Sequence, residues 1–138
     1  MIQHSDKINF NTNGINLYEI TDTVVSWVHK IDASKGLLNI SIQHTSASLL
    51  IQENADPTVL EDLKIYFLNS VPFNDEYKHS TEGKDDMPAH IKASLTNSNL
   101  TLSILDNKLC LGIWQGIYLF EHRTSKKNRE LILHFIGI

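Results

Sequence analysis

Hydrophobic positions follow two rhythms along this chain, and the switches between them mark its elements. Lys7-Ile8-Asn9-Phe10 and Ile15-Asn16-Leu17-Tyr18 flank Asn13-Gly14, a dipeptide suited to a tight turn, so an opening β-hairpin is predicted. Ile20, Val24, Trp27, Val28 and Ile31 then recur at helical spacing, with Thr21 or Asp22 as cap and Gly36 beyond the end. Leu38, Ile40 and Ile42 alternate with Asn39, Ser41 and Gln43, the period of a half-buried strand, and Ser48 to Gln52 supplies a further one. Asp56-Pro57 places a capping carboxylate before a proline, which costs nothing in a first helical turn. Val59, Leu63, Tyr66 and Phe67 form the inner stripe of that helix. The pattern then fails from Ser70 to Glu82, a polar loop. Asp86-Met87-Pro88 opens a short helix with Met87, Ile91 and Leu95 on one face. Strands follow: Leu100 to Ile104, then Leu109, Leu111 and Ile113 after a turn at Asp106-Asn107, then Ile117 to Phe120, and Leu131 to Ile136. The basic stretch Arg123 to Arg129 turns between the last two.

Helices interleaved with strands whose connections are too short for parallel crossovers predict an α+β domain built on mainly antiparallel sheets, a sheet or sandwich with flanking helices. At 138 residues the chain makes one domain, 1–138, large enough to bury its own core. A net charge of −4 and the lack of a basic run argue against broad nucleic-acid binding. No apolar run is long enough for a membrane span, and no basic and apolar leader precedes the domain, so a cytoplasmic protein is expected. One cysteine excludes an internal disulfide and multi-cysteine zinc sites; Cys110 is read as a small core residue. Seven histidines are the one unusual count, and they direct attention to metal or acid–base chemistry.

Three segments carry that chemistry. In the first, His44 shares parity with Ile40 and Ile42: it is either a core histidine bonded to backbone or a neutral imidazole aimed into a cleft as metal ligand or general base. Thr45, Ser46 and Ser48 follow with hydroxyls that suit phosphate oxygens, then Glu53, Asn54 and Asp56. The second runs from His79 to His90, with Glu82, Asp85 and Asp86 between and Gly83 free to fold the loop back. It reads either as a solvated charged loop or as a ligand cluster; His44, His79 and His90 together would suit a zinc-like divalent ion with an open position. The third is Leu111 to Ile117, where Gly112 and Gly116 bracket Trp114 and Gln115. A bulge there would aim the Gln115 amide into a cavity; otherwise it is an edge residue beside a packed tryptophan. Arg123, with its planar fork, is the best candidate for pairing with phosphate. His4, His29 and His134 lack comparable company and are read as structural.

Taken together, "QHTSASLLIQENADPTV", "HSTEGKDDMPAHIKASL" and "GIWQGIYLFEHR" resemble, in order and over essentially the whole chain, the signature segments of the YjbQ-like family, also called secondary thiamine-phosphate synthases. Ile113 stands where the family's motif has threonine, and Asn107 where its turn has glycine, a position asparagine tolerates. The resemblance implies a YjbQ-like fold with a β-sandwich core and a homotrimer. Its polar clefts would hold His44, Ser46, Asn54, Asp56, His79, Glu82, His90, Gln115 and Glu121. It also implies a weak transferase activity that joins a pyrimidine-methyl pyrophosphate to a thiazole phosphate and releases pyrophosphate.

On that reading His44, Asp56, Glu82, Gln115 and Glu121 are catalytic, and Thr45, Ser46, Ser48, Asn54 and Arg123 bind a small phosphorylated substrate. His44, His79 and His90 hold a metal. Magnesium with the pyrophosphate would favour Glu53, Asp56, Glu82 and Asp86 instead. Two alternatives stand beside it. One is a metal-dependent hydrolase of a small phosphorylated or heterocyclic metabolite, with Glu82 as base; the other is a non-catalytic trimeric module for a metabolite or metal.

Overall fold

A computed structural model describes residues 1–138. Eight strands and three helices follow in the order β1 (Ile2–Asn13), β2 (Asn16–Glu19), α1 (Thr21–Lys30), β3 (Gly36–Ile42), β4 (Ala47–Glu53), α2 (Pro57–Ser70), α3 (Asp86–Leu95), β5 (Asn99–Leu105), β6 (Lys108–Leu109), β7 (Gln115–Glu121) and β8 (Lys126–Gly137). Two antiparallel sheets result: β1-β8-β3-β5-β6 and β2-β7-β4. The α+β class, the antiparallel sheets and the flanking helices are as expected. No helix is long and apolar enough to cross a membrane.

Alternation along the strands sorts residues between two apolar clusters. Leu38, Ile40 and Ile42 of β3, Leu49 of β4, Ile117 and Leu119 of β7, and Leu131, Leu133 and Phe135 of β8 join Val24, Trp27 and Val28 of α1 in the main core. The opposite parity of β7, Tyr118 and Phe120, joins Leu17 under Leu60, Leu63 and Phe67 of α2. Helix α2 thus covers the outer face of the small sheet and buries no residue fully.

Several expectations are corrected. The chain does turn at Gly14, with φ of +89°, but β1 pairs with β8 and β2 with β7, so the opening strands form a corner between sheets rather than a hairpin. At α1 the cap position is Ile20. Thr21 instead accepts the Ile117 N–H through Oγ1 at 2.9 Å and donates to Glu19 at 2.8 Å, tying the helix to β7. Tyr66 is 63% exposed, and Leu60 takes its expected place in the inner stripe of α2. Beyond Leu109 the predicted strand gives way to a turn that exposes Ile113 and Trp114. Cys110 is exposed, since the strand parity that would bury it ends there. The basic turn shrinks to residues 122–125, and Arg129 lies buried within β8.

Helix α3 departs most from its pattern. Its buried residues are Asp86, Pro88, Ala89 and Lys92, whereas Leu95 is 63% exposed. Asp85 holds the cap position. A helix that turns an acid and a lysine inward spends stability that an apolar face would have kept, the local inconsistency expected where a fold serves a site.

Candidate functional site

Asp86 is the centre. Its side chain is 5% exposed and its two oxygens do different things. Oδ1 accepts from Arg123 Nη1 at 2.6 Å. Oδ2 lies 2.6 Å from His79 Nε2 and 3.1 Å from His90 Nε2. Helical geometry brings Asp86 and His90 together, four residues apart on one face of α3. The loop supplies His79, and Gly83, at φ of +106°, folds it back so that the Glu82 carbonyl accepts from Arg123 Nη2 at 2.9 Å. Arg123 completes its fork with Asp85 through Nε at 2.9 Å. Each guanidinium nitrogen thus already donates to protein, so the fork is turned toward Asp85, Asp86 and the Glu82 carbonyl. Burial lowers the Arg123 pKa, but Asp85, Asp86 and Glu82 outweigh it and hold the group firmly charged. Burial likewise pushes the Asp86 carboxyl up, and His79, Arg123 and His90 together bring it below the ordinary carboxylate range.

His90 shows what the cluster is shaped to hold. Its Nδ1 lies 2.9 Å from the Thr45 carbonyl, which can only accept, so Nδ1 carries a proton. In neutral imidazole the lone pair is then on Nε2, and it faces a carboxylate oxygen at 3.1 Å. Two lone pairs directed at each other repel. Either His90 carries a second proton or a cation belongs between nitrogen and oxygen. A carbonyl that fixes the tautomer of an imidazole is also how ligating histidines are oriented. His79 Nε2, Asp86 Oδ2 and His90 Nε2 lie within 4.8 Å of one another. Ligands around tetrahedral zinc sit roughly 3.3 Å apart, so small shifts would accommodate an ion. The Glu82 carboxylate lies 3.0 Å from His79 Nε2, and its side chain is 65% exposed.

Other expected site residues lie elsewhere. His44 is not in the cluster: it is half-buried and its Nε2 accepts the Glu130 N–H at 2.8 Å, the backbone bond of the simpler reading without its full burial. Burial, then the nearby Arg129, lower its pKa below 6.5. Ser46 Oγ accepts from Arg129 at 3.0 Å. Ser48 Oγ lies between Thr96 Oγ1, at 2.6 Å, and His122 Nε2, at 2.8 Å, so both serine hydroxyls serve the interior. Thr45 contributes its carbonyl. Glu121 is fully buried and accepts from Thr12 and from both Nε and Nη2 of Arg129.

Asn54, Asp56 and Gln115 sit at the far end of the β4–β7 ladder. Ala47 pairs with Glu121 at one end and Glu53 with Gln115 at the other, about 20 Å away at the ordinary strand rise. Gln115 Oε1 accepts the Gly112 N–H at 2.7 Å, closing its own turn instead of entering a cavity. Asn54 Nδ2 reaches Glu19 at 3.4 Å. Asp56 caps α2 by accepting the Thr58 N–H at 2.9 Å and its hydroxyl at 2.7 Å. The expected single cleft therefore divides within one chain. We expect Asp56→Ala to lower the melting temperature slightly and to leave metal content untouched, measured by thermal denaturation and elemental analysis.

The sequence offers Asp86 as a helix start, as one acid of the His79–His90 segment and as a magnesium partner, but not as the ligand paired with His90, although that spacing is a legible helical pair. The sequence places Asp85 in the charged segment without a partner and gives no site role to Lys92, His122 or Arg129; these roles depend on which strand ends and helix faces meet.

Comparison with known proteins gives a consistent result. The family model "UPF0047 protein YjbQ-like" matches residues 6–138. A UPF0047 protein of Synechocystis is 44% identical over 136 residues, covering 98% of this chain and 92% of that protein. The UPF0047 protein YjbQ of Escherichia coli O157:H7 is 48% identical over 102 residues, 74% of each chain. Among solved structures, a YjbQ/UPF0047 family protein of Clostridium acetobutylicum superposes with a TM-score of 0.83 at 35% identity, covering 99% of this chain and 100% of that one. A YbjQ-like protein of Sulfolobus solfataricus, itself of unknown function, shares the fold with a TM-score of 0.87 at 21% identity, over 99% of this chain and 100% of that one. The expected thiamine-phosphate synthase is corrected by these matches: family model and relatives carry only the family designation, and neither that enzyme's name nor its fold accompanies them. What the sequence, the fold and the relatives establish together is that this chain belongs to the YjbQ-like UPF0047 family.

Proposed function

We propose that the protein is a metal-binding protein whose centre is a zinc-type divalent ion held by His79, Asp86 and His90. The observation that carries this is the His90 ring, whose Nδ1 lies 2.9 Å from the Thr45 carbonyl while its Nε2 faces a carboxylate oxygen at 3.1 Å. Two imidazoles and one carboxylate form a donor set suited to zinc rather than to magnesium, which prefers oxygen and water. Three protein ligands leave a position for water or substrate, and a bound ion of this type would make such a water more acidic. Arg123 fixes the Asp86 carboxylate so that Oδ2 remains the ligating oxygen. Glu82, exposed beside His79, is placed to accept a proton from a group in the open position. Assembly as a homotrimer, implied by the family resemblance, belongs to the same reading, and light scattering giving the mass of a single chain would remove it.

Elemental analysis of protein purified without chelator tests the centre. One zinc-type ion per chain is expected, lost in Asp86→Ala and His90→Ala and retained in His44→Ala and His134→Ala. A chain that binds no added zinc, and whose His90 ring carries two protons by nitrogen NMR, would replace the metal with a simple His90–Asp86 ion pair.

A further inference from the structure

Lys92 is 1% exposed, and its Nζ has no hydrogen-bond partner. Nothing about the fold calls for an amine there. Buried polar groups are almost always paired, and an unpaired one costs on the order of 1–3 kcal/mol or more. Lys92 lies on the inward face of α3 six residues beyond Asp86, where an apolar residue would pack without that cost. The Phe73 ring has its centroid 5.6 Å from Nζ, and Asp85 and the His122 ring are near enough to interact with the amine electrostatically without bonding to it.

Phe73 has a second role. With Tyr77, His79 and Gly83, the polar Asn74 and Ser80, and the oppositely charged Asp75 and Lys84, it lines a cavity of about 300 Å³ in the loop before α3. That volume is at the small end of ligand sites. The Phe73 side chain is thus shared between the surroundings of the unpaired amine and the wall of an open space that borders a ligand of the proposed metal centre. Residues 71–85 contain no helix or strand, so turning one ring out of the way disturbs no backbone ladder.

We propose that Lys92 is the recognition group for a carboxylate carried on a small flat ligand, which enters the cavity beside His79 and displaces the Phe73 ring from the amine. The aromatic walls, Phe73 and Tyr77, favour a planar body. Arg123 is already engaged by Asp85, Asp86 and the Glu82 carbonyl, the Ser46 and Ser48 hydroxyls are engaged elsewhere, and Asp75 adds negative charge to the lining, so a phosphate dianion would be opposed more strongly than a singly charged carboxylate. A carboxylate is satisfied by one amine and a second contact. The inference rests on the metal-centre reading only in taking this cavity as the substrate space of that centre; the Lys92 contact itself does not need the ion.

Benzoate is a suitable probe, with inorganic phosphate as the contrast, each titrated by NMR and calorimetry against metal-loaded and chelator-treated protein. Benzoate is expected to bind both forms, more weakly without metal, and to shift resonances of Phe73 and His79, while phosphate binds at least tenfold more weakly. Lys92→Met should weaken benzoate at least tenfold, keep the metal content, and leave the melting temperature equal or higher, because it removes an unpaired buried amine. Phe73→Ala should tighten benzoate binding by uncovering the amine. Loss of zinc binding with benzoate recognition intact would remove the metal centre and keep this inference. Equal benzoate binding by Lys92→Met, phosphate binding as tight as benzoate, or no binding by both the native chain and Phe73→Ala would overturn it.

Discussion

Arg129→Ala is expected to lose about 3–5 kcal/mol of folding stability, read as a fall in the denaturation midpoint. Arg129 is 4% exposed and its Nε and Nη2 grip Glu121, which is wholly buried, at 2.7 and 2.5 Å. The same Nη2 donates to Ser46 Oγ and reaches the Ser46 carbonyl. Glu121 also accepts the backbone N–H groups of His122 and Arg123 and the Thr12 hydroxyl. The Glu121–Arg129 pair therefore joins β1, β7, β8 and the residue just before β4, where the two sheets meet. Removing the arginine leaves a buried anion with neutral donors alone. The double variant Arg129→Met with Glu121→Gln should recover part of the loss, since neither charge then remains unpaired. A cost under about 1 kcal/mol for Arg129→Ala would mean that water already reaches the pair. The pair also has a pH signature. Burial pushes the Glu121 carboxyl up, but Arg129 and Thr12 outweigh it and hold it below its ordinary 4.5. A depressed acid stabilises the fold above its unfolded pKa and loses that contribution as pH falls through the folded one, so this component fails only below about pH 4.5.

How much of this was legible beforehand depends on how local each feature is. The strand over Leu38, Ile40 and Ile42 follows from parity, and the Asp56-Pro57 helix start follows from cap chemistry; both were read correctly. The corner at Gly14 was read as a hairpin because Asn-Gly reports a tight turn and not the strands that β1 and β2 will choose, β8 and β7. Helix α3 defeated the apolar rule, because its inward face was set by the partners of Asp86 and Lys92 and not by Met87, Ile91 and Leu95. At the site, His79 and His90 could be suspected from their spacing within a charged loop. The exclusion of His44 could not, since it rests on the Glu130 N–H, supplied by a strand 86 positions later. The division of the expected cleft has the same origin. A motif list places Gln115 and Glu121 six residues apart, whereas a strand places them at opposite ends of a ladder.

Acidification should destabilise the chelator-treated protein well above the pH at which its carboxylates titrate, and His122→Gln should remove most of that slope. The His122 side chain is fully buried at the end of β7, its ring centroid 4.3 Å from that of Phe120. Nε2 meets Ser48 Oγ at 2.8 Å, and Nδ1 has no partner. A second ring proton would thus be unpaired in an apolar setting, and the cations facing it from the neighbouring elements oppose it too. Burial first, then Lys92 of α3 and Arg129 of β8, lower its pKa from 6.5 to about 3. Between those values the unfolded chain binds a proton that the folded chain refuses, so stability rises with pH across the window and is lost as pH falls through it. The loss is about 2 kcal/mol at pH 5 and on the order of 4 kcal/mol near pH 3. His44, also depressed, adds a contribution of the same sign, so the difference between the native chain and His122→Gln isolates this ring. Glutamine can keep a hydrogen bond to Ser48 without titrating. Its denaturation midpoint should fall much less from pH 6.5 to 5 than that of the native chain, and parallel profiles for the two would show that His122 takes its proton inside the fold.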